Sequence, residues 1–156
     1  MPKHVEQFRR RVVRPVLLRL NLWSPSAELL LLGTALHESN NLKYIAQIGG
    51  GPALGLYQME PFTLDDLYRN GLNGPRVSSR ILNGFMVKGF TRAENLSANP
   101  LYSTAACRLQ YWRFPESLPD VDDASGLARY WKRYWNTEQG AGTPEHFIAA
   151  LEAASL

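Results

Sequence analysis

With 156 residues, 45% of them apolar and 20% charged, the chain has the size and composition of one globular domain whose core needs no covalent staples. The single cysteine, Cys107, excludes an internal disulfide framework, and no apolar run is long enough to span a bilayer. The net charge of +3 gathers at the front, where residues 1–20 carry Lys3, Arg9, Arg10, Arg11, Arg14 and Arg19 against Glu6 alone.

That basic stretch reads as a helix over about 5–20 with a stripe of Phe8, Val12, Val13, Val16, Leu17 and Leu20, kinked at Pro15. Its arginines read as a solvated face. The aromatic interleaving and groove-reading motifs of a nucleic-acid binder are missing, so nucleic acid is not expected as a partner. Arg14 and Arg19 interrupt VVRPVLLRLNLW and no small-residue cleavage site follows, so a signal peptide is not expected. Ser24 and Pro25 then open a helix that carries ELLLLGTALH and delivers Glu38 near its end. Residues 40–58 lose the helical period, and KYIAQI, GGGP and ALGLYQ suggest two short extended pieces around a glycine turn.

Helices resume at PFTLDDLYRNG, where Thr63 and Asp66 resemble a capping box, and more weakly at RVSSRILNGFMV. Residues 84–98 read as a loop. Asn99-Pro100 opens a helix to about Phe114, the acids of LPDVDD cap one from about Ala124 to Trp135, and Thr143-Pro144 opens the last. Cys107 reads as a small buried residue, Trp112, Trp131 and Trp135 as mostly core, and His4 and His146 as surface. The expected architecture is mainly α, one domain over 1–156, with a small β-hairpin after the helix that ends at Glu38.

The chemistry gathers in HESNNLKYIAQIGGGPALGLYQMEP, residues 37–61. Breaking a glycosidic bond needs a proton delivered to the leaving oxygen, and a carboxyl group supplies it at neutral pH when apolar surroundings keep it protonated. Glu38, at the end of an apolar run, has that setting. Glycines let a backbone approach a ligand closely, and Tyr57, Gln58 and Tyr44 offer an amide and aromatic faces of the kind that hold sugars. Zinc chemistry of the H-E-x-x-H type fails because position 41 is Asn. His37 and Glu38, about 100° apart on a helix, are not expected to form a dyad.

HES followed by GLYQMEP resembles the soluble lytic transglycosylase and goose-type lysozyme group of the lysozyme-like superfamily. The segments ENLSANPLYSTAACRLQYW and GLARYWKRYWNTEQGAGT resemble later parts of the same pattern, so the likeness covers residues 24–140. It implies an α+β lysozyme-like fold and cleavage of the β-1,4 bond between N-acetylmuramic acid and N-acetylglucosamine in peptidoglycan. It implies Glu38 as general acid, followed by Ser39, with Gly55, Tyr57 and Gln58 lining the glycan cleft and Tyr134 and Asn136 as further cleft residues. Tyr57 stands where the group usually has Met, and Trp135 where it has Tyr. Glu60 has the spacing of the Asp that helps position water in goose-type lysozymes. It reads either as that second carboxylate, giving a hydrolytic muramidase, or as an acid at a helix start, leaving a lytic transglycosylase.

No metal or organic cofactor is implied. The expected partner is the peptidoglycan strand, with other virion proteins as further candidates. The resemblance extends to phage-encoded members, so the expected setting is a phage product, virion-associated or free, acting at the periplasm and cell wall. The alternative from another class is a virion structural protein that keeps the fold and docks through residues 1–20.

Overall fold

The computed structural model describes residues 1–43 and 51–156, and over these the chain is mainly helical. The N-terminal segment runs as α1 (Lys3–Phe8), a widened π turn (Arg9–Val13) and α2 (Arg14–Arg19). The π turn places the Arg14 amide on the Arg9 carbonyl, one residue beyond the α-helical partner. It falls just before Pro15, which lacks an amide and crowds the preceding turn, so the expected irregularity is accommodated by a wider turn.

Val5, Phe8, Val13, Val16, Leu17 and Leu20 are buried, so the segment is a piece of the core whose other face carries the arginines. The alternative in which residues 1–20 serve for docking would thus draw on a segment that is part of the core. Arg9 and Arg14 do not sit free on that face. Both reach the carboxylate of Glu28 on α3 (Pro25–Glu38), Arg9 at 2.5 Å and Arg14 at 2.7 and 2.8 Å, and the indole of Trp23 donates to it at 2.8 Å.

Helix α3 is buried on nearly every side, from Ala27 to Leu36, as befits a helix apolar all round. Ser24 caps it through the Ala27 amide, and Pro25 starts it, as expected. Gly33 makes room for the ring of Phe147, since a Cβ there would lie 2.3 Å from it. That contact seats α9 (Pro144–Ala153) against α3, beside α8 (Ala124–Trp131).

The second half of the core gathers around α4 (Pro61–Asp66), α5 (Ser79–Asn83), α6 (Arg92–Ala98) and α7 (Pro100–Trp112). Helix α7 serves both cores. Cys107 and Tyr111 face the one built on α3, while Tyr102, Ala105, Ala106 and Leu109 face the other. Buried hydroxyl pairs lock it in place: Thr34 Oγ1 with Tyr111 Oη at 2.8 Å, and Tyr57 Oη with Thr104 Oγ1 at 3.1 Å.

Several expectations change. Residues 84–91 are a loop as expected, but 92–98 are not: Thr91 and Glu94 form a reciprocal capping box that starts α6. Thr63 and Asp66 form none, because α4 begins at Pro61 and Asp66 instead binds Arg113 at 2.7 Å and Asn70 at 2.7 Å. Trp131 is fully buried, but Trp112 is 44% exposed. Of the β-hairpin, the described residues show one antiparallel rung between Leu54 and Met59. Left-handed Gly55 and Gln58 close the turn there after a single pair of hydrogen bonds. The expected extended piece KYIAQI, and Tyr44 within it, lie almost wholly outside the described residues.

Glu28 makes a testable demand on stability. Burial by itself would raise its carboxyl pKa, but the hydrogen bonds from Arg14, Trp23 and Arg9 together hold it down at about 2, against an ordinary 4.5. A carboxyl depressed in the folded state stabilises fully above its unfolded value. That stability is lost as pH falls from about 4.5 towards 2. Glu28→Gln should lower unfolding free energy by about 3 kcal/mol at pH 7, and the gap from wild type should close near pH 2 in urea titrations.

Candidate functional site

Helix α3 ends at Glu38 with an unusual exit. Asn40, Asn41 and Leu42 all have positive φ, at 48°, 62° and 64°. The first two are residue types that tolerate this region, whereas a leucine there is strained. Ser39 secures the turn: its hydroxyl donates to the Ala35 carbonyl and accepts from the Leu42 amide at 3.0 Å. It is fully buried, so Ser39 caps the helix and offers nothing to a ligand.

The Glu38 side chain is 16% exposed, and its Oε1 lies 3.3 Å from His37 Nδ1. The two side chains thus do meet. The 100° offset of their backbone positions does not separate them, because the flexible Glu arm reaches across at the helix end. On its inner side Glu38 is close to α7. Burial pushes the Cys107 thiol and the Tyr111 phenol well up, and the charge of Glu38 adds to both.

The imidazole of His37 stacks edge-on against Trp131, with ring centres 4.5 Å apart. It also flanks Gly142, where an added Cβ would lie 3.1 Å from His37 Cε1 and 3.0 Å from Asn136 Nδ2. The end of α3 therefore adjoins Asn136.

Asn136 closes another π turn, Lys132–Asn136, in which the Thr137 amide bonds the Lys132 carbonyl at 2.7 Å. Thr137 follows in a left-handed conformation at φ 62°. Lys132 holds this region together: its Nζ donates to Asn136 Oδ1 at 2.7 Å and to the carbonyls of Gly140 at 3.0 Å and Gly142 at 2.7 Å. Lys132 is a site-shaping residue that the motif comparison passed over. Its position four residues before Asn136 was the available signal, since i and i+4 side chains meet on a helix.

Across from this loop lies the turn at 54–59. Gly55 is buried there with φ 76°, and a Cβ on it would come 2.1 Å from the Leu96 carbonyl oxygen. Only glycine fits. Gln58, also left-handed, donates from Nε2 to the Gly55 carbonyl at 2.8 Å.

Between turn and loop runs an open cleft of about 470 Å³, lined by Gln58, Glu60, Tyr134 and Asn136 together with Gln110 and Gln139. Four residues picked from sequence segments far apart thus share one wall-to-wall space. Glu38 is not among the described residues lining it and stands beyond Asn136, beside His37. Glu60 occupies the N-cap position of α4, yet its side chain makes no capping bond and is exposed to the cleft.

Three expected cleft residues are placed elsewhere. Ser39 and Gly55 are buried and shape backbone. Tyr57 is 1% exposed in the core with its hydroxyl on Thr104, so its ring presents no face to a sugar. Burial pushes its phenol well up. The alternation of a turn sends residues 57 and 58 opposite ways, and only the second reaches the cleft.

Among the described residues no group of three His, Cys, Asp or Glu side chains could hold a metal ion, and no helix is long and apolar enough to cross a membrane. Comparison with family models, curated proteins and solved structures returned no match.

Two variants test this account of the site. Gly55→Ala should cost about 3 kcal/mol or more, through strain and the clash with the Leu96 carbonyl, and thermal melting would show it. Lys132→Met should leave global stability within about 1 kcal/mol while amide exchange over residues 137–143 speeds up roughly tenfold or more, read by hydrogen-exchange mass spectrometry.

Proposed function

We propose that the chain is a lysozyme-like, peptidoglycan-cleaving glycosidase in which Glu38 is the general acid. The observation that carries this reading is the cleft. Gln58 and Glu60 from one motif face Tyr134 and Asn136 from another, roughly half the chain apart, and the helix ending in Glu38 adjoins Asn136. Amide, hydroxyl and carboxylate groups around an open groove are the inventory that a glycan's hydroxyls and N-acetyl groups require.

In the proposed reaction Glu38 donates its proton to the glycosidic oxygen as the bond to the N-acetylmuramic acid C1 breaks, and N-acetylglucosamine leaves. Glu60 takes a proton from a water that attacks C1 from the opposite face, which inverts the anomeric centre. The cleft-facing carboxylate of Glu60, which makes no capping bond, favours this hydrolytic branch over a lytic transglycosylase, in which the sugar's own 6-hydroxyl would attack. Gln58 and Asn136 would orient the sugars. The proposed setting is the bacterial cell wall, reached as a phage product, virion-associated or free.

Digestion of purified peptidoglycan with products resolved by mass spectrometry tests the reading. Wild type should release muropeptides with reducing ends. Glu38→Gln should lose about 10²–10⁴-fold in rate. Glu60→Gln should lose a comparable factor, and Tyr57→Phe should keep near-full activity. Anhydro ends would remove Glu60 from the mechanism. No release from any wall type by wild type would overturn the glycosidase reading.

A further inference from the structure

The residue least explained by the cleft is Arg108. It is 5% exposed, and no hydrogen bond or ion pair among the described residues reaches its guanidinium; its Nε is buried with no partner. Burial draws its pKa down, as expected of a cation kept from water and from carboxylates. The ring of Trp112 lies 5.4 Å from the guanidinium carbon, and such a contact offsets only part of the desolvation of a charge. Burying an unpaired guanidinium is among the costlier things a fold can do.

Arg108 is not sealed in the core, however. It lines a cavity of about 360 Å³ between the end of α7 and α8, with Tyr111, Trp112, Phe114, Leu118 and Tyr130 as walls. Residues 108 and 112 lie on one face of α7, and Gln110, which lines the glycan cleft, is about 200° away on the other. The cavity is thus separate from the cleft. Two groups of its polar rim are already engaged: Tyr130 donates to the Glu116 carbonyl at 3.2 Å, and the Glu116 carboxylate takes the Tyr134 hydroxyl and Arg133. What is left over is one cation, the neutral Ser117, aromatic walls and space.

We propose that this cavity binds an organic carboxylate with an apolar or aromatic body, the carboxylate pairing with Arg108 and the body lying against Trp112 and Phe114. A planar, five-donor guanidinium matches a carboxylate in a way that a point charge does not. The volume suits one ring-sized group. The same chemistry is found in a free small organic acid and in the C-terminal residue of a peptide.

The test uses the full chain and four probes: benzoate, benzamide, N-acetyl-alanyl-phenylalanine with a free carboxylate, and its C-terminal amide. Thermal melting and isothermal titration calorimetry read binding. At millimolar concentration at least one acid should raise the melting temperature by about 3 °C, and neither amide should. Stronger binding of benzoate assigns a small organic acid; stronger binding of the dipeptide assigns a peptide end. Arg108→Met should abolish the acid's effect without lowering the unliganded melting temperature, since it removes an unpaired buried charge. Trp112→Ala, at a partly exposed wall, should weaken binding at least tenfold and serves if Arg108→Met fails to fold. Equal effects of acids and amides, equal protection by inorganic phosphate, or full binding by both variants would overturn the proposal. None of these readouts depends on glycan cleavage.

Discussion

The buried carboxylate of Glu28 is the constraint on which the rest depends. Two arginines from the N-terminal segment and an indole from the following turn converge on it, and it sits in the first turn of α3. A charge so placed strongly favours this arrangement, because moving the N-terminal segment away would take both arginines from a carboxylate kept from water. It therefore sets how the N-terminal segment lies across α3. The far end of α3 carries Glu38, so the same ion cluster fixes the rail along which the proposed acid is delivered.

Helix α7 transmits that order to the other half of the molecule. It is shared between two cores and pinned by hydroxyl pairs to α3 at Thr34 and to the 54–59 turn at Tyr57. These bonds explain why Tyr57 is useful even though it touches no ligand: it anchors the turn whose next residue, Gln58, does face the cleft. Around the site the backbone is held in unusual conformations at Asn40, Asn41, Leu42, Gln58 and Thr137. Strain of this kind persists only where surrounding contacts over-determine it. Here the Ser39 hydroxyl, the Gln58 amide and the Lys132 ammonium supply those contacts.

Two arginine environments separate what charge does in this fold. Arg9 and Arg14 stay partly in water and share a carboxylate, so their charge is balanced within the chain. Arg108 is more deeply placed and has no carboxylate partner among the described residues, only the Trp112 ring. The basic N-terminus drew notice in the sequence as an excess of charge, but the unbalanced cation lies inside α7, where a count of charges gives no hint of it.

Much of the helical scaffold was legible in the sequence. Ser24-Pro25, Asn99-Pro100, Asp123 and Thr143-Pro144 each start a helix as expected, because a cap satisfies amides only a few residues away and so acts through neighbours alone. The same locality hid α6, whose capping box at Thr91 and Glu94 was passed over, and misplaced a box at Thr63, where Asp66 prefers Arg113. The family resemblance named Gln58, Glu60, Tyr134 and Asn136, which line the cleft, together with Ser39, Gly55 and Tyr57, which do not. The sequence by itself thus determined where most helices begin and that Cys107 is a buried residue, and it narrowed the cleft to a short set of candidates. The tertiary structure alone decided that Gln58, Glu60, Tyr134 and Asn136 meet, that Tyr57 and Ser39 turn inward, that His37 reaches Glu38, and that Arg108 has no carboxylate partner among the described residues. Each of these depends on burial against elements distant in the chain, and burial is a property of packing that no local pattern contains.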